Sequence, residues 1–189
     1  TGGVSIACAM RLARKKRGMA LISAIARVVE QTGTEVRLRF LVAGDGPQRP
    51  AMERLAARLG VANSVEFLGR LDRAGMRELF ERSDFFVLPT RLEAFGIAAL
   101  EARAAGLPVV AMREGGIGEF VRDGSDGLLA GDDREFAAHI VRLASDRALL
   151  RQMAARSRAT PVSFTWSAAI AAHEEIYGRA RLLTARARR

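Results

Sequence analysis

Short apolar runs alternate along this sequence with longer segments in which apolar residues recur every three or four positions. The short runs are rich in Val, Leu and Phe and predict strands near residues 4–9, 36–43, 65–68, 85–88, 108–111 and 127–129. The longer segments predict helices over residues 19–32, 50–60, 73–82, 96–106, 117–122, 132–145, 147–158 and 165–185. Because strands that alternate with helices are typical of βαβ units, the pattern predicts an α/β fold, a Rossmann-like parallel sheet with helices on both faces.

The whole sequence is expected to form one domain. No repeat or low-complexity linker divides its 189 residues, and 49% of them are hydrophobic, enough for one buried core. Thr160-Pro161 separates this core from a terminal segment of about residues 163–189. There Trp166 and Tyr177 lie three helical turns apart and share a face, so we expect them to dock the last helix on the domain or on a neighbour.

Five of the predicted strands end in loops that contain Gly, Pro or charged residues. These loops cover residues 10–18, 44–50, 69–73, 89–93 and 112–116. In an open α/β sheet, ligands bind outside the carboxyl ends of the strands. We therefore expect the functional site to be built from these loops.

The positive charge of the sequence is concentrated in two places. Thirty Lys and Arg against 21 Asp and Glu give a formal net charge of +9. Residues 1–40 hold eight basic and two acidic side chains, and residues 179–189 hold five Arg and no acid. Such clusters suit a phosphorylated ligand, an anionic membrane or nucleic acid. With one Trp and one Tyr, the sequence lacks aromatic platforms among its basic residues, which argues against a nucleic-acid partner.

The sequence shows neither a membrane-spanning run nor a secretory signal and has a single cysteine, so we expect a cytoplasmic location. No run approaches the roughly 18 apolar residues that span a bilayer, and the first basic cluster follows the apolar start, the reverse of a secretory signal. The basic tail at residues 179–189 leaves peripheral contact with the inner face of a membrane open. The lone Cys8 cannot form an internal disulfide and is expected to be a small buried hydrophobe.

The segment at residues 89–111, PTRLEAFGIAALEARAAGLPVVA, carries the most chemistry. Phe95-Gly96 opens a predicted helix, whose free N–H groups and dipole favour a phosphate, and Gly96 allows close approach. Glu93 precedes this helix and Glu101 lies inside it. Two carboxylates near a phosphate are unfavourable unless they accept hydrogen bonds from hydroxyl groups. A sugar nucleotide offers hydroxyl groups on both sides of its diphosphate.

The E-x7-E spacing of Glu93 and Glu101, with Phe95-Gly96 and the Gly-Leu-Pro of residues 106–108, resembles the C-terminal, donor-binding half of retaining GT-B glycosyltransferases, specifically family 4 (group 1). The similarity extends through almost the whole sequence in five further motifs. These are R-x4-K at 11–16, G-x-G-P at 44–47, x-F-x-G at 66–69, G-G-x-x-E at 115–119 and D-G-x-x-G-x-L at 123–129. Each motif alone is weak, but the ordered set is specific.

The resemblance implies a role for each matching residue and a UDP-, GDP- or ADP-sugar as donor. Arg11 and Lys16 would hold the donor diphosphate, and Glu101 the ribose hydroxyls. Glu93 would hold the hydroxyls of the transferred sugar and is the catalytic candidate. The backbone of Phe95 and Gly96 would contact the sugar or phosphate. The loop at Gly69, Arg70 and Leu71 would lie against the base, and Gly44 and Asp45 are further candidates for contact with the donor.

No cofactor or metal is expected. Transfer makes a nucleoside diphosphate leave, and two cations with a helix start would stabilise its growing charge. The sequence contains no D-x-D motif that would hold a metal.

The sequence departs from the family pattern in two ways. A Gly usually follows the Lys directly, whereas Arg17 intervenes here before Gly18, within four consecutive basic residues, so Lys15 stays an alternative to Lys16. A complete GT-B enzyme also has an N-terminal acceptor domain, for which this sequence has no counterpart. We therefore expect a donor-binding domain that is inactive alone.

Two other functions stay open at this stage. A GT-B relative could bind a nucleotide sugar for epimerisation or phosphorolysis, although the E-x7-E spacing argues against it. A basic nucleic-acid-binding module is the remaining alternative.

Overall fold

A computed structural model describes residues 3–164 and 166–187. Its strands are β1 (Val4–Ala9), β2 (Leu38–Ala43), β3 (Val65–Gly69), β4 (Phe85–Leu88), β5 (Val109–Met112) and β6 (Gly127–Ala130). Its α-helices are α1 (Gly18–Thr32), α2 (Arg49–Arg58), α3 (Arg73–Glu81), α4 (Ile97–Ala104), α5 (Asp133–Ser145), α6 (Arg147–Ala159) and α7 (Trp166–Ala187). The strands form one parallel sheet in the order β3-β2-β1-β4-β5-β6, which confirms the predicted Rossmann-like fold.

Helices cover both faces of the sheet because alternate strand residues are apolar on both sides. On one face, side chains such as Ile6 and Phe85 pack against α1, α2, α5 and α6. On the other face, side chains such as Phe86 and Val109 pack against α3 and α4. Cys8 lies in the first core, where burial raises the pKa of its thiol to about 12, as expected for an inert apolar residue.

One predicted helix is wrong. Over residues 117–122 the structure has only a short 3-10 turn, Gly116–Glu119. Gly116 and Gly118 disfavour an α-helix, and the Arg122 N–H donates to Asp126 Oδ1 at 2.8 Å, which turns the chain towards β6. Two further 3-10 turns lie at Arg14–Lys16 and Ala62–Ser64.

The D-G-x-x-G-x-L motif has a structural role before β6. Asp123 accepts hydrogen bonds from the Leu129 N–H at 3.0 Å and from Arg113 at 2.8 Å. Burial opposes ionisation of this carboxyl group, but the two hydrogen bonds outweigh it and hold the pKa of Asp123 below its usual value. The carboxylate therefore fixes the turn between β5 and β6.

Arg103 ties α4 to the turn before β6 through a buried ion pair, and to the end of α6 through hydrogen bonds. Arg103 on α4 and Asp126 are each 2% exposed, and Arg103 Nη2 lies 2.8 Å from Asp126 Oδ2. Arg103 also donates to the carbonyl oxygens of Ser157, at 2.5 Å, and Thr160, at 3.0 Å. The chain that leads into α7 is thus anchored to the helix that carries Glu101.

Helix α7 projects from the domain, and its side chains from 167 to 181 are exposed. Tyr177 is 63% exposed and does not dock on the domain, while residue 165 and the side chain of Trp166 lie outside what the structure describes. Arg179 of the predicted basic tail pairs with Glu175 at 2.5 Å; the tail's side chains from 182 onwards are also outside the description. Over the described residues, no helix combines the length and hydrophobicity needed to cross a membrane.

Candidate functional site

The sheet reverses its direction of growth between β1 and β4. From β1 the chain proceeds to β2 and β3 on one side, whereas β4, β5 and β6 follow on the other. At such a point the loops after the two central strands diverge and leave a crevice at the carboxyl edge. Here those loops run from Met10 to Arg17 and from Pro89 to Gly96.

A cleft of about 670 Å³ opens at this edge. Six of the residues predicted from sequence line it: Arg11, Gly44, Asp45, Arg70, Leu71 and Glu101. The other lining residues are Ala9, Met10, Ala43, Gly46, Met76 and Ala98. Apolar walls are thus combined with two arginines and two carboxylates, a composition typical of a small-molecule site.

Arg11 and Glu101 leave their charged groups available in this cleft. Both are exposed, and within the described residues neither side chain has a hydrogen-bond or ion-pair partner. Asp45 differs, because its carboxylate accepts from the Gly46 N–H at 2.8 Å and so caps its own turn. Arg11 and Glu101 are therefore the charged groups most open to a ligand.

The floor of the cleft needs glycine at position 44. Gly44 has φ of 120°, and a Cβ there would collide with the carbonyl oxygen of Met10. Its N–H donates to the Gly69 carbonyl at 2.6 Å. The G-x-G-P turn therefore packs closely on the β1 loop and brings Asp45 beside Arg11.

Lys16 and Glu93 form a second part of the site. Lys16 Nζ lies 2.6 Å from Glu93 Oε2, and the side chains are 24% and 15% exposed. This contact joins the loop after β1 to the loop after β4, across the point where the sheet reverses. Lys15, in contrast, is exposed and makes no such contact.

Two glycines of the G-G-x-x-E motif support the Glu93 loop. The Gly116 N–H donates to the Glu93 carbonyl at 3.0 Å. A Cβ on Gly115 would collide with that carbonyl oxygen, and one on Gly116 with the carbonyl oxygen of Ala94. The motif therefore positions Glu93 through backbone contact.

Five of the residues predicted from sequence do not line the cleft: Lys16, Glu93, Phe95, Gly96 and Gly69. The Phe95 ring packs on Phe120 and Phe164, with ring centroids 5.5 and 5.0 Å apart. Gly96 has φ of 84° at the start of α4, where no described side chain caps the helix. For Phe95 and Gly96, the backbone remains the group that could meet a ligand.

The sequence prediction missed three residues that hold the two loops together. Arg17 donates to the Pro89 carbonyl at 3.0 Å and to both carboxylate oxygens of Asp133, at 2.6 and 2.8 Å. Arg91 also approaches Asp133, at 3.7 Å. The one sign of this in the sequence was that Arg17 stands where the family pattern has glycine.

In the described part of the chain, no group of three His, Cys, Asp or Glu side chains could hold a metal ion.

Comparison with known proteins gives a consistent result. The family model described as "Glycosyl transferases group 1" matches residues 3–146. N-acetyl-alpha-D-glucosaminyl L-malate synthase of Bacillus anthracis is 36% identical over 145 residues, which are 76% of this chain and 36% of that protein. The chain spans about a third of the length of the curated relatives it matches.

Solved structures share the fold. Sucrose-phosphate synthase from Thermosynechococcus elongatus superimposes with a TM-score of 0.77 and 25% identity, over 96% of this chain and 46% of that one. Anabaena HepE in complex with UDP-glucose gives a TM-score of 0.72 and 30% identity, over 84% of this chain and 43% of that one.

Proposed function

Because this chain belongs to the group 1 glycosyl transferases, we propose that it is the donor-binding domain of a retaining glycosyltransferase. In this proposal the enzyme transfers a hexose from a nucleotide-diphosphate sugar to an acceptor hydroxyl without a metal ion. The observation that carries the proposal is the arrangement of four charged groups at the carboxyl edge. Arg11 and Glu101 face one cleft without a partner among the residues that the structure describes, and Lys16 and Glu93 pair at 2.6 Å on the adjoining loops.

Arg11 and Lys16 would stabilise the negative charge of the leaving group. When the bond from the anomeric carbon to the diphosphate breaks, negative charge grows on the phosphate oxygens. Arg11 offers its unpaired guanidinium, and Lys16 offers the N–H groups that Glu93 does not occupy. An ammonium has three donors, so the Lys16–Glu93 pair can persist while Lys16 also binds a phosphate oxygen. The uncapped start of α4 adds backbone N–H groups, whose partial positive charge also favours a phosphate.

Glu93 and Glu101 would accept hydrogen bonds from the hydroxyl groups of the donor. Glu101, exposed on α4, would accept from the ribose, and Glu93 would accept from the transferred sugar. A carboxylate has about four acceptor positions, so Glu93 keeps capacity for the sugar beside Lys16. Glu93 is therefore the proposed catalytic residue, held near the reacting carbon by its ion pair and by the Gly116 N–H.

The nucleotide base is proposed to lie beside Gly69, Arg70 and Leu71. Arg70 and Leu71 line the far side of the cleft from α4. The UDP-glucose complex of the HepE relative makes UDP the first nucleotide to test, with GDP and ADP as the alternatives.

The acceptor is proposed to bind on a second domain. The relatives are about three times as long as the matched region. Transfer needs the acceptor hydroxyl within near-attack distance in a site that excludes water. A cytoplasmic location, with the basic tail near an anionic membrane surface, belongs to the same proposal.

Titration calorimetry of the 189-residue chain with UDP, GDP and ADP in EDTA tests the proposal. We expect one of the three to bind without added metal. Arg11→Ala should weaken this binding, whereas Arg39→Ala, which removes an exposed arginine from β2, should leave it unchanged. Binding that requires magnesium or manganese would contradict metal independence, and no binding of any of the three would overturn the proposed function.

A further inference from the structure

Arg17 has a backbone conformation that arginine rarely adopts. Its φ is 61° and its ψ is 36°, the left-handed region in which glycine is the favoured residue. Its N–H closes the 3-10 turn onto the Arg14 carbonyl, and its carbonyl accepts from Leu21 to begin α1. The backbone at this position thus suits glycine, the residue that commonly follows the lysine in the family that this sequence resembles.

The arginine side chain compensates with three hydrogen bonds. Nη1 donates to the Pro89 carbonyl, and Nη2 contacts both oxygens of Asp133. Pro89 begins the loop that carries Glu93, and Asp133 begins α5. The side chain therefore fastens the loop of Lys16 to the loop of Glu93 and to the helix packed beneath them.

Other contacts run along the same junction. The Thr90 hydroxyl, 1% exposed at the residue level, approaches the Lys16 carbonyl at 3.4 Å. Arg91 Nη2 lies 3.7 Å from Asp133 Oδ1. Asp133 is thus shared by one arginine from each loop.

We propose that Arg17 is a positioning residue that holds the Lys16 ammonium beside Glu93 before the donor binds. This inference rests on the proposed function, in which Lys16 binds the diphosphate. The Arg17 guanidinium is engaged with Pro89 and Asp133, so Arg17 acts through its neighbour Lys16. Without it, the two loops are joined across this junction mainly by the ion pair that must itself receive the donor.

Replacement by glycine isolates the side chain, because glycine accepts φ of 61° without strain. Arg17→Gly should weaken UDP binding roughly fivefold, the scale expected when a partly exposed, hydrogen-bonded ion pair is lost. In a Lys16→Ala background the same substitution should have no further effect. That non-additivity is the signature of action through Lys16, and a general loss of structure would not produce it.

Asp133→Asn is a second variant that keeps the Arg17 side chain and weakens its anchor. It should reproduce the loss of affinity, and Arg39→Ala should not. UDP is the probe, with GDP and ADP in parallel, and thermal unfolding of every variant is followed by circular dichroism. Unchanged affinity in Arg17→Gly, or an equal loss with and without Lys16, would overturn the inference while leaving the proposed function intact. If the unaltered chain binds none of the three nucleotides, the proposed function fails, and this inference fails with it.

Discussion

Replacement of Arg103 by methionine tests whether its buried ion pair and hydrogen bonds hold α4 to the turn before β6 and to the end of α6. Methionine fits the length of the arginine stem but cannot donate a hydrogen bond. Its introduction leaves the Asp126 carboxylate, 2% exposed, without a counter-ion. It also removes the donor from the Ser157 and Thr160 carbonyls, which arginine contacts at 2.5 and 3.0 Å.

The expected loss of stability is large because the remaining charge cannot reach water. Breaking a buried pair by removal of one partner costs about 3–5 kcal/mol. For a domain of this size, each kcal/mol lowers the unfolding midpoint by roughly 2–4 °C, so we expect a decrease of roughly 6–20 °C. Urea denaturation followed by circular dichroism gives the free energy of unfolding directly.

The chain contains a matched control in an exposed ion pair. Arg113 contacts Asp123 at the same 2.8 Å and also donates to a carbonyl, but the two side chains are 53% and 38% exposed. Arg113→Ala should therefore cost at most about 1 kcal/mol. A loss for Arg103→Met no larger than that of Arg113→Ala would refute the argument from burial.

The remaining predictions concern the cleft. Glu101→Ala should weaken the binding of UDP and of an intact sugar nucleotide alike, by about tenfold or more, because loss of a hydrogen bond to a charged group costs about 1.5–3 kcal/mol. Glu93→Ala should weaken the sugar nucleotide more than UDP, since UDP lacks the sugar and is affected only through Lys16. Calorimetry with both ligands checks this, and equal losses throughout would contradict the assigned roles. Gly44→Ala should lower the free energy of unfolding by about 1–3 kcal/mol, since the new Cβ would meet Met10 at positive φ. Urea denaturation measures it, and Gly178→Ala on the exposed α7 should cost nothing. Radiolabelled sugar transfer by the 189-residue chain alone should be undetectable, and turnover would refute the two-domain proposal.

The fold was predictable because most of its strands are buried on both faces, with β3 the exception. Runs such as residues 85–88 are apolar at every position, and all four residues of β4 are buried. Such strands differ clearly in pattern from helices that have one polar face. The helix predicted at 117–122 is wrong although its apolar residues have helical spacing, because its glycines and the Asp126 carboxylate favour a turn.

The site was predictable as a set of loops but not as a set of contacts. The motifs place Arg11, Lys16, Glu93 and Glu101 near the carboxyl edge, and all four lie there. Sequence alone favoured Lys16 but left Lys15 open as an alternative, and it could not show that Lys16 is the residue that contacts Glu93. The left-handed conformation of Arg17 was equally hidden, because an arginine gives no sign in sequence that it will adopt such a conformation.

Partners distant in sequence were hidden for a different reason. Arg103 follows the pattern of an exposed residue on a helix, and Asp126 that of a residue in a turn. They become buried only because the end of α6 covers them, 54 and 57 residues beyond Arg103. No local pattern carries that information, since charged residues are mostly exposed.

The arrangement of the four charged groups explains why the R-x4-K and E-x7-E spacings occur together. Arg11 and Glu101 line the cleft at one end of the site, and Lys16 and Glu93 pair at the other. The loop after β1 therefore supplies a cation to each end, and the segment after β4 supplies a carboxylate to each end. In the proposed function, a donor with its diphosphate between two sets of hydroxyl groups would thus meet one cation and one carboxylate from each pair, and the positive charges would offset the repulsion between the carboxylates and the phosphates.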